Sequence, residues 1–310
     1  MPVVSVIVPT YNRAHLLPAS LASVLAEDVD LELIVVDDGS SDGTAEMVAA
    51  MREPRLRVIE RPHAGIAAAR NAGVDAARAP VIAFHDSDDL ALAGRLTVPL
   101  GVLRARPDVD LVIQNGRMLP PEDAPHVAET PWIPPPVARR LVAGPVGVAE
   151  VFRWNLGQLQ GMCFTRRSLA AAGPLDGSFR ILDDLDLVLR VAAAGRAVFL
   201  DRPAFAYRRH PAGVARDRAT VSEEAIRLAD KLACEHPEAV ALIGRRTFAR
   251  RQARRHARLA RERARAGDRP GARAALARAR ALDPGNPRYL LQALVGQPLG
   301  ALWAAVRSRG

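Results

Sequence analysis

Asp86 and Asp88, two aspartates separated by a single residue, come shortly after the apolar run Val81–Phe84. That run predicts a short buried strand. Carboxylate oxygens are hard ligands of the kind that Mg²⁺ and Mn²⁺ prefer, often shared with a diphosphate. A cation at this turn would neutralise the charge that develops on a departing diphosphate. Aspartates also cap helices, so the pair on its own is only a weak indication of a metal site.

A second polar cluster follows the first apolar run, residues 3–8, and consists of Pro9, Thr10, Tyr11 and Asn12. The ring of Tyr11 stands where a nucleotide base could stack, a contact that every base can make. On this residue alone, packing of the ring within its own loop is slightly favoured. If the stacking interpretation is correct, the four residues line a nucleotide-binding site.

The second apolar run, residues 31–36, ends in a turn rich in Asp, Gly and Ser, residues 37–43. Carboxylates in this turn can accept hydrogen bonds from a base or a ribose, and glycine permits close approach. Capping of a following helix by Ser41 or Asp42 explains part of the turn without a ligand. Asp38, which precedes Gly39 in this run, is not needed for capping, which favours a nucleotide-binding role.

Three more aspartates, Asp183, Asp184 and Asp186, stand at the start of residues 181–190 (ILDDLDLVLR), whose apolar periodicity predicts a helix. Acidic side chains are favoured at the N-terminus of a helix because they complement the helix dipole. Capping therefore explains this cluster as well as a chemical role does.

The elements that must position these residues follow from the apolar patterns. A helical pattern over 16–25 separates the runs 3–8 and 31–36, which predicts a right-handed βαβ unit. In such sheets ligands bind at the carboxyl ends of the strands, where the polar clusters lie. Further predicted elements are a helix over 42–51, a strand at Leu56–Glu60, a helix over 64–77, the strand Val81–Phe84, a proline-rich loop over 119–137, a strand over 161–165 and a helix over 182–194.

Four segments in this order resemble the inverting family 2 glycosyltransferases, which share the GT-A fold. The resemblance covers about residues 1–210 and implies an α/β fold of GT-A type, with a Rossmann-like, mostly parallel central sheet flanked by helices. It also implies transfer of a sugar from a nucleotide diphosphate sugar to an acceptor hydroxyl, in cell-surface polysaccharide or glycolipid synthesis. The expected base of the nucleotide is uracil. The segments are residues 4–13 (VSVIVPTYNR), 34–44 (IVVDDGSSDGT), 65–73 (GIAAARNAG) and 84–89 (FHDSDD).

By position, the resemblance implies that Tyr11 stacks on the base and that Asp38 bonds to the base or ribose. Arg70 would lie beside the nucleotide. Asp86 and Asp88 would form the Asp-x-Asp pair, in contact with the nucleotide and with Mn²⁺ or Mg²⁺, and Asp88 would be nearest to the metal.

The second acidic cluster is similar to the family's Glu-Asp-x-Asp segment, which implies that Asp184 is the general base and that Asp183 replaces the usual Glu. Such a base removes the acceptor proton while the acceptor oxygen attacks opposite to the departing diphosphate, so the anomeric centre inverts. Arg208 and His210 lie in a segment similar to Tyr-Arg-x-His, which implies contacts with a phosphate and with the metal or diphosphate; a basic surface turn is the alternative. His85 departs from the pattern, since the family usually has an apolar residue there.

Positive charge is concentrated towards the end of the chain, where residues 241–280 contain fourteen arginines against Glu262 and Asp268. The net charge of the whole chain is +9, so the remainder is mildly acidic. We therefore expect a catalytic domain over 1–215 and an Arg-rich helical extension over 216–310.

The extension resembles a single tetratricopeptide-like helical pair over 249–287, although an amphipathic two-helix brace is the simpler interpretation. Aromatic residues are absent from 249–288, so we expect no nucleic-acid partner. Basic helices followed by the apolar stretch 289–306 predict peripheral contact with an anionic membrane and a lipid-linked acceptor. A solvated brace is equally consistent with this sequence.

Two cysteines without metal-ligand spacing, Cys163 and Cys234, and the lack of a signal peptide or membrane-length apolar run predict a cytoplasmic protein. A nucleotidyltransferase acting on sugar phosphates would share the α/β domain, but it normally has a basic, Gly-rich phosphate loop, which this sequence lacks. A non-catalytic binding module is the third alternative, and Asp86, Asp88 and Asp184 argue against it. No motif encodes the acceptor, saccharide or lipid-linked, or the oligomeric state.

Overall fold

The chain forms two compact units, Met1–Gly213 and Val214–Gly310. The computed structural model describes residues 1–120, 128–208 and 217–289. Within those residues the first unit contains a β-sheet with helices packed against it, and the second unit is helical. Each unit is described by itself.

The predicted βαβ unit opens the chain. β1 (Val4–Thr10) and β2 (Leu31–Asp37) are parallel neighbours connected by α1 (Leu17–Leu25). Every residue of both strands is buried, as expected for parallel strands covered on both faces. Leu21 and Val24 of α1 pack into the apolar core beside these strands.

The remaining elements of the first unit extend the sheet and supply helices that pack against it. In chain order they are α2 (Thr44–Ala49), β3 (Leu56–Glu60), α3 (Ile66–Ala76), β4 (Val81–Phe84), β5 (Leu90–Ala91), α4 (Thr97–Ala105), β6 (Leu111–Met118), β7 (Thr130–Pro131), α5 (Pro135–Ala143), α6 (Val148–Trp154), β8 (Met162–Thr165), α7 (Arg166–Ala172), α8 (Asp183–Ala194) and β9 (Ala197–Tyr207).

The strand order of the sheet explains why the polar clusters meet. Across the described residues the order is β3-β2-β1-β4-β8-β6-β9-β5, and β7 pairs with β6. β3, β2, β1 and β4 run parallel, as do β6 and β9, whereas β8 is antiparallel to both of its neighbours. The predicted α/β fold with a mostly parallel central sheet is confirmed. Because β1, β2 and β4 end at one edge, the residues that follow them converge there.

One predicted connection is wrong in part. The proposed loop over 119–137 contains Thr130–Pro131, which pairs with β6 as β7, and its last residues begin α5 at Pro135. Proline suits the first turn of a helix, where its missing N–H group has no intrahelical partner to lose. Residues 121–127 of this segment lie outside the described part of the chain.

The described part of the second unit forms the helices α9 (Arg218–Glu235), α10 (Pro237–Ile243), α11 (Arg245–Arg265) and α12 (Arg269–Leu282). The helix, turn and helix expected over 249–287 are present as α11 and α12. Asp268 caps α12 by accepting a hydrogen bond from N–H of Gly271 at 2.9 Å. Small side chains such as Ala253 and Ala279 are buried where the two helices pack together. None of the described helices is long and apolar enough to cross a membrane.

Candidate active site

A buried arginine of α3, Arg70, joins the two acidic segments identified in the sequence. Its Nη1 lies 2.8 Å from Oδ2 of Asp183, and its Nη2 lies 3.1 Å from Oδ1 of Asp86. The side chains of Arg70 and Asp183 are only 5% and 2% exposed. Removing Arg70 would take the shared partner away from both carboxylates, of which Asp183 is buried. The guanidinium of Arg70 therefore pairs with both the turn after β4 and the start of α8, two segments that are distant in sequence.

Asp184 lies in the first turn of α8, next to this double ion pair. Burial raises the pKa of Asp184 to about 8; the negative charge of Asp183 adds to the rise, and Arg70 opposes it. N–H of Leu185 donates to the Asp184 carboxylate at 2.6 Å. A carboxyl group whose pKa lies near the working pH is suited to accept a proton during a reaction.

The turn after β4 carries negative charge that is only partly balanced. Burial raises the pKa of Asp86; Arg70 opposes this change, and the charge of Asp88 adds to it. The side chains of Asp86 and Asp88 are 25% and 21% exposed, so a ligand can reach both. Nε of Arg13 lies 3.6 Å from Oδ2 of Asp88. Two recessed carboxylates that repel one another can accommodate a further cation.

Asp89 and Arg208 support the turn after β4. Asp89 is fully buried and accepts hydrogen bonds from N–H of Arg208 at 3.0 Å and from Nε2 of Gln160 at 3.2 Å. The guanidinium of Arg208 donates to the backbone carbonyl of Asp88 and, at 3.3 Å, to that of Leu16. Arg208, predicted to meet a donor phosphate, thus lies against the Asp-x-Asp turn. Asp89 and Gln160 support that turn and were not singled out from the sequence.

His85, the residue that departs from the family pattern, is buried at the end of β4. It is 1% exposed, and neither ring nitrogen makes a hydrogen bond of normal geometry with a described residue. Burial lowers the pKa of His85 to about 3, and the neighbouring Arg95 contributes to the decrease. The imidazole is therefore neutral. Arg95 itself is anchored by donating to the carbonyls of Phe84 and Met162, both at 3.0 Å.

Asp38, at the other end of the site, holds the loop that leads into α3. Its carboxylate accepts N–H bonds from Ala64 at 3.1 Å and from Gly65 at 2.7 Å. These N–H groups belong to the two residues that precede α3, so Asp38 holds the loop before that helix and does not cap the helix itself. Asp38 is only 3% exposed as a result.

An aromatic pair lies beside Asp38. The rings of Tyr11 and His63 stack with their centroids 4.3 Å apart and their planes at 29°. Tyr11 is 44% exposed and the side chain of His63 is 56% exposed. Nδ1 of His63 lies 2.9 Å from the Asp38 carboxylate and 3.1 Å from its backbone carbonyl; because both partners are acceptors, Nδ1 is the donor in these contacts. No spacing in the sequence links His63 to Tyr11, so sequence reasoning missed it.

The other residues of the polar cluster at the end of β1, Pro9, Thr10 and Asn12, have mainly structural partners. Pro9 is buried inside β1. Asn12 adopts a left-handed conformation with φ of 51°, and its Oδ1 accepts a hydrogen bond from N–H of Ser41 at 2.8 Å. Oγ1 of Thr10 is buried without a hydrogen-bond partner among the described residues. These contacts tie the ends of β1 and β2 together and leave hydrogen-bonding capacity at Thr10.

The predicted metal ligands within the described residues are Asp86 and Asp88, whereas His210 lies outside them. In that part of the chain no group of three His, Cys, Asp or Glu side chains could hold a metal ion. Mg²⁺ commonly takes one or two carboxylates together with substrate phosphates and water. The carboxylates present therefore fit a cation that arrives with a nucleotide diphosphate.

Comparison with known proteins assigns the part of the chain that carries most of this site. Residues 5–144 match the family model described as glycosyl transferase family 2. Over this segment the chain is similar to glycosyl transferase family 2. It contains Tyr11, Asp38, Arg70 and the Asp-x-Asp turn, and it ends before α8.

Curated relatives come from bacteria and align over only part of their length. The succinoglycan biosynthesis protein ExoO of Rhizobium meliloti (strain 1021) is 39% identical over 127 residues, which are 38% of this chain and 36% of ExoO. The Escherichia coli UDP-Glc:alpha-D-GlcNAc-diphosphoundecaprenol beta-1,3-glucosyltransferase WfgD is 38% identical over 102 residues, which are 32% of this chain and 40% of WfgD. The chain thus spans less than half the length of these relatives.

Solved structures confirm the GT-A fold. S. aureus TarS 1–349 has a TM-score of 0.66 at 17% identity, covering 95% of this chain and 92% of TarS 1–349. The mannosyltransferase PcManGT of Pyrobaculum calidifontis, solved with GDP-Man and Mn²⁺, has a TM-score of 0.64 at 24% identity, covering 98% of this chain and 81% of PcManGT. TarS 1–349 has also been solved with UDP-GlcNAc.

Proposed function

We propose that this chain transfers a sugar from a nucleotide diphosphate sugar to an acceptor hydroxyl, with inversion of the anomeric centre. The observation that carries the proposal is the double ion pair of Arg70 with Asp86 and Asp183. Departure of the diphosphate and removal of the acceptor proton occur at the same anomeric carbon, so the groups responsible must share one cleft. Arg70 joins the two segments that carry those groups, and the match of residues 5–144 to the glycosyl transferase family 2 model supports the same reaction.

Asp184 is the general base of the proposed reaction. Its carboxylate takes the proton of the acceptor hydroxyl while the acceptor oxygen forms a bond to the anomeric carbon. The bond between that carbon and the diphosphate oxygen breaks on the opposite face, and its electron pair leaves with the nucleoside diphosphate. A single displacement of this kind inverts the anomeric configuration.

Asp86 and Asp88 would hold Mn²⁺ or Mg²⁺, with His210 as a further ligand. A cation bound there would supply Lewis-acid stabilisation of the departing diphosphate. Arg70 fixes the carboxylate of Asp86, and Arg208 fixes the turn through the backbone carbonyl of Asp88. We also assign to Arg208 a contact with a donor phosphate. Support for the cation comes from the solved complex of PcManGT with GDP-Man and Mn²⁺.

The nucleoside would bind at the ends of β1 and β2. Tyr11 offers an exposed ring on which a base can stack, and the buried Oγ1 of Thr10 has unused hydrogen-bonding capacity. Asp38 would accept a hydrogen bond from the base or ribose in addition to holding the loop before α3. We propose a UDP-linked donor, which is supported by the UDP-Glc in the name of WfgD and by the TarS complex with UDP-GlcNAc.

The proposed acceptor is a saccharide or a lipid-linked saccharide in the synthesis of a cell-surface polysaccharide or glycolipid. The names of ExoO and WfgD support this class of pathway. We further propose that the enzyme works in the cytoplasm and touches an anionic membrane surface through its Arg-rich helices.

A panel of nucleotide sugars with Mn²⁺ or Mg²⁺ tests the proposal in two steps. Thermal stabilisation identifies the donor, because a ligand that binds the folded state raises its apparent stability. With that donor, Asp184→Asn should lower turnover about 10²- to 10⁴-fold, the factor that a general base supplies. Stabilisation by the donor should remain.

The matched control is Asp186→Asn, in the same turn of α8, because Asp186 pairs with Arg190 at 2.8 Å and has no assigned part in the reaction. Per folded molecule, this variant should transfer sugar at close to the wild-type rate. Unchanged turnover in Asp184→Asn would exclude Asp184 as the base. Formation of a nucleoside triphosphate and a sugar 1-phosphate from the nucleotide sugar, when pyrophosphate is supplied, would replace the proposal with a nucleotidyltransferase.

A further inference from the structure

A second candidate binding site lies within the helical unit. A cavity of about 570 Å³ opens between the first half of α11 and the segment that follows α12. We propose that this cavity binds a phosphate or diphosphate group, and we name it the arginine pocket. It is lined by Arg246, Ala249, Arg250, Arg254, Leu282, Asp283, Pro284, Gly285, Asn286 and Pro287.

Three arginines of the pocket, Arg246, Arg250 and Arg254, are spaced four residues apart along α11. Residues at this spacing lie on one face of a helix, with each about 5–6 Å from the next. All three are exposed, so a ligand can reach them from solvent. The planar guanidinium group presents paired N–H donors that match two oxygens of a phosphate.

The positive charge of the pocket is only partly compensated. Nε of Arg250 lies 3.7 Å from Oδ1 of Asp283, the acidic residue of the lining. Within residues 217–289, no carboxylate lies at ion-pair distance from Arg246 or Arg254. Three guanidinium groups thus face one carboxylate, and a phosphate would supply the charge that balances them.

Neighbouring arginines of α11 add to the positive field around the pocket. Arg255 is flanked by Arg251 and Arg258, and burial together with these two charges lowers the pKa of Arg255 to about 9. Arg251, Arg255 and Arg258 do not line the pocket, but their charges add to the positive potential that an anion meets along α11.

The opposite wall of the pocket is a short, restrained loop. Pro284 and Pro287 restrict its backbone, and Nδ2 of Asn286 donates to Oδ2 of Asp283 at 3.2 Å. A preorganised wall reduces the entropy lost when a ligand binds. The pocket therefore combines fixed geometry with unbalanced positive charge, and its ligand could be free phosphate or the headgroup of an anionic lipid.

Two triple variants of the full chain test the site. Binding of inorganic pyrophosphate is measured calorimetrically with EDTA present, and binding to vesicles is measured with phosphatidylglycerol or phosphatidylcholine. Each triple removes three positive charges, the first from α11 and the second from α12. Both therefore reduce the long-range electrostatic attraction of an anionic probe equally. The pocket triple is Arg246→Gln, Arg250→Gln and Arg254→Gln, and the control triple on α12 is Arg273→Gln, Arg278→Gln and Arg280→Gln.

We expect the pocket triple to weaken binding by at least about tenfold, because each lost guanidinium removes charge-assisted hydrogen bonds, while the control triple changes it much less. Pyrophosphate binding would identify a free-phosphate site. Selective loss on phosphatidylglycerol vesicles alone would identify a lipid headgroup. Equal losses in the two triples, or no binding of either probe by the unaltered protein, would overturn the proposal.

A single conservative variant keeps the proposal testable if the pocket triple does not fold. Asp283→Asn retains the size and hydrogen-bonding capacity of the side chain but removes the carboxylate that competes for Arg250. Affinity for the probe should increase about two- to fivefold, in line with the strength of an exposed ion pair. Unchanged or weaker binding in Asp283→Asn, with normal helical circular dichroism, would contradict an anion site at this position.

Discussion

Buried carboxylates stand at both ends of the candidate active site, and they are stabilised in different ways. At the nucleoside end, Asp38 accepts hydrogen bonds from two backbone N–H groups just before α3, and Nε of Arg61 lies 3.7 Å from its Oδ1. At the opposite end, Asp86 and Asp183 share the guanidinium of Arg70, and Asp184 lies beside them with its pKa raised to about 8. The single carboxylate of the first region is satisfied by N–H groups and one arginine, whereas the second region holds more negative charge than its one buried arginine balances.

This difference indicates that the first region positions a loop, whereas the second region is a reactive centre. Neutral N–H donors fix a carboxylate and the attached loop, and they do not depend on a ligand. Carboxylates crowded together at low exposure change their protonation readily and accept cations, which is why strongly perturbed groups concentrate at functional sites. We therefore expect the reaction to take place at the end of the site that carries Asp86, Asp183 and Asp184. Crowding of these carboxylates lowers the stability of the fold.

Removal of Arg70 should have the largest effect on this arrangement. In Arg70→Leu, Asp86 and Asp183 lose their shared partner, and the loss should cost about 3–5 kcal/mol of unfolding free energy. Turnover should fall to background, because the two acidic segments are no longer held together. Chemical denaturation measures the first effect, and donor turnover per folded molecule measures the second.

Arg190→Leu is the matched control for Arg70→Leu. Arg190 pairs with the buried Asp186 at 2.8 Å within α8, and the two side chains are 13% and 3% exposed. This variant should also lose stability but keep its turnover per folded molecule. If both variants lost turnover to the same extent, the contrast between a structural and an active-site ion pair would not hold.

The sequence predicted β1 to β4 and the strand that is β8, and it missed β6 and β9. β6 contains Gln114 and Asn115, which interrupt the apolar pattern. In the fold Nε2 of Gln114 donates to the carbonyl of Arg95 at 2.9 Å, and Nδ2 of Asn115 donates to Asp201 at 2.9 Å. Polar residues satisfied by such distant partners cannot be recognised from local periodicity.

A similar limit applies to the site. The acidic pairs were visible because their spacing is local, and the resemblance placed Arg70 near the nucleotide. The bridge from Arg70 to Asp183 spans separate elements, as does the contact between Tyr11 and His63. Only the strand order of the sheet brings these residues within reach of one another.

The raised pKa of Asp184 predicts a pH dependence. A base must be deprotonated, so kcat/KM should increase about tenfold per pH unit up to about pH 8 in the free enzyme and then level off. Asp186→Asn should retain the same profile. A kcat/KM that is flat over this range would mean that Asp184 does not act as the base.

The same pKa predicts a stability effect of opposite direction. The folded state retains the Asp184 proton up to about pH 8, whereas the unfolded chain releases it near the ordinary value of 3.8, so the folded state binds more protons between these values. Stability therefore decreases as the pH rises through this window. Asp184→Asn should be more stable than the wild type near pH 7, with a difference in Tm that grows from about pH 4 and is constant above about pH 8.

At the nucleoside end the effects should be smaller and confined to binding. Tyr11→Ala should weaken the binding of UDP about ten- to a hundredfold, the range expected when the aromatic partner of a stacked base is removed. Because Tyr11 is 44% exposed, the melting temperature without ligand should change little. Tyr11→Phe keeps the ring and should bind UDP like the wild type. Normal UDP affinity in Tyr11→Ala would show that the base does not stack on Tyr11.

The smallest expected effect concerns His63, and it separates the two contacts that the ring makes. His63→Phe keeps the stack on Tyr11 but loses the bond from Nδ1 to Asp38, whereas His63→Asn loses the stack but keeps an N–H donor. A hydrogen bond to a charged group contributes about 1.5–3 kcal/mol, compared with about 0.5–1.5 kcal/mol for an aromatic pair. His63→Phe should therefore have the lower melting temperature, and its UDP affinity should fall only about two- to fivefold, since the loop is less well preorganised. If His63→Asn proved the less stable variant, the stack on Tyr11, and not the bond to Asp38, would be the contact through which His63 stabilises this loop.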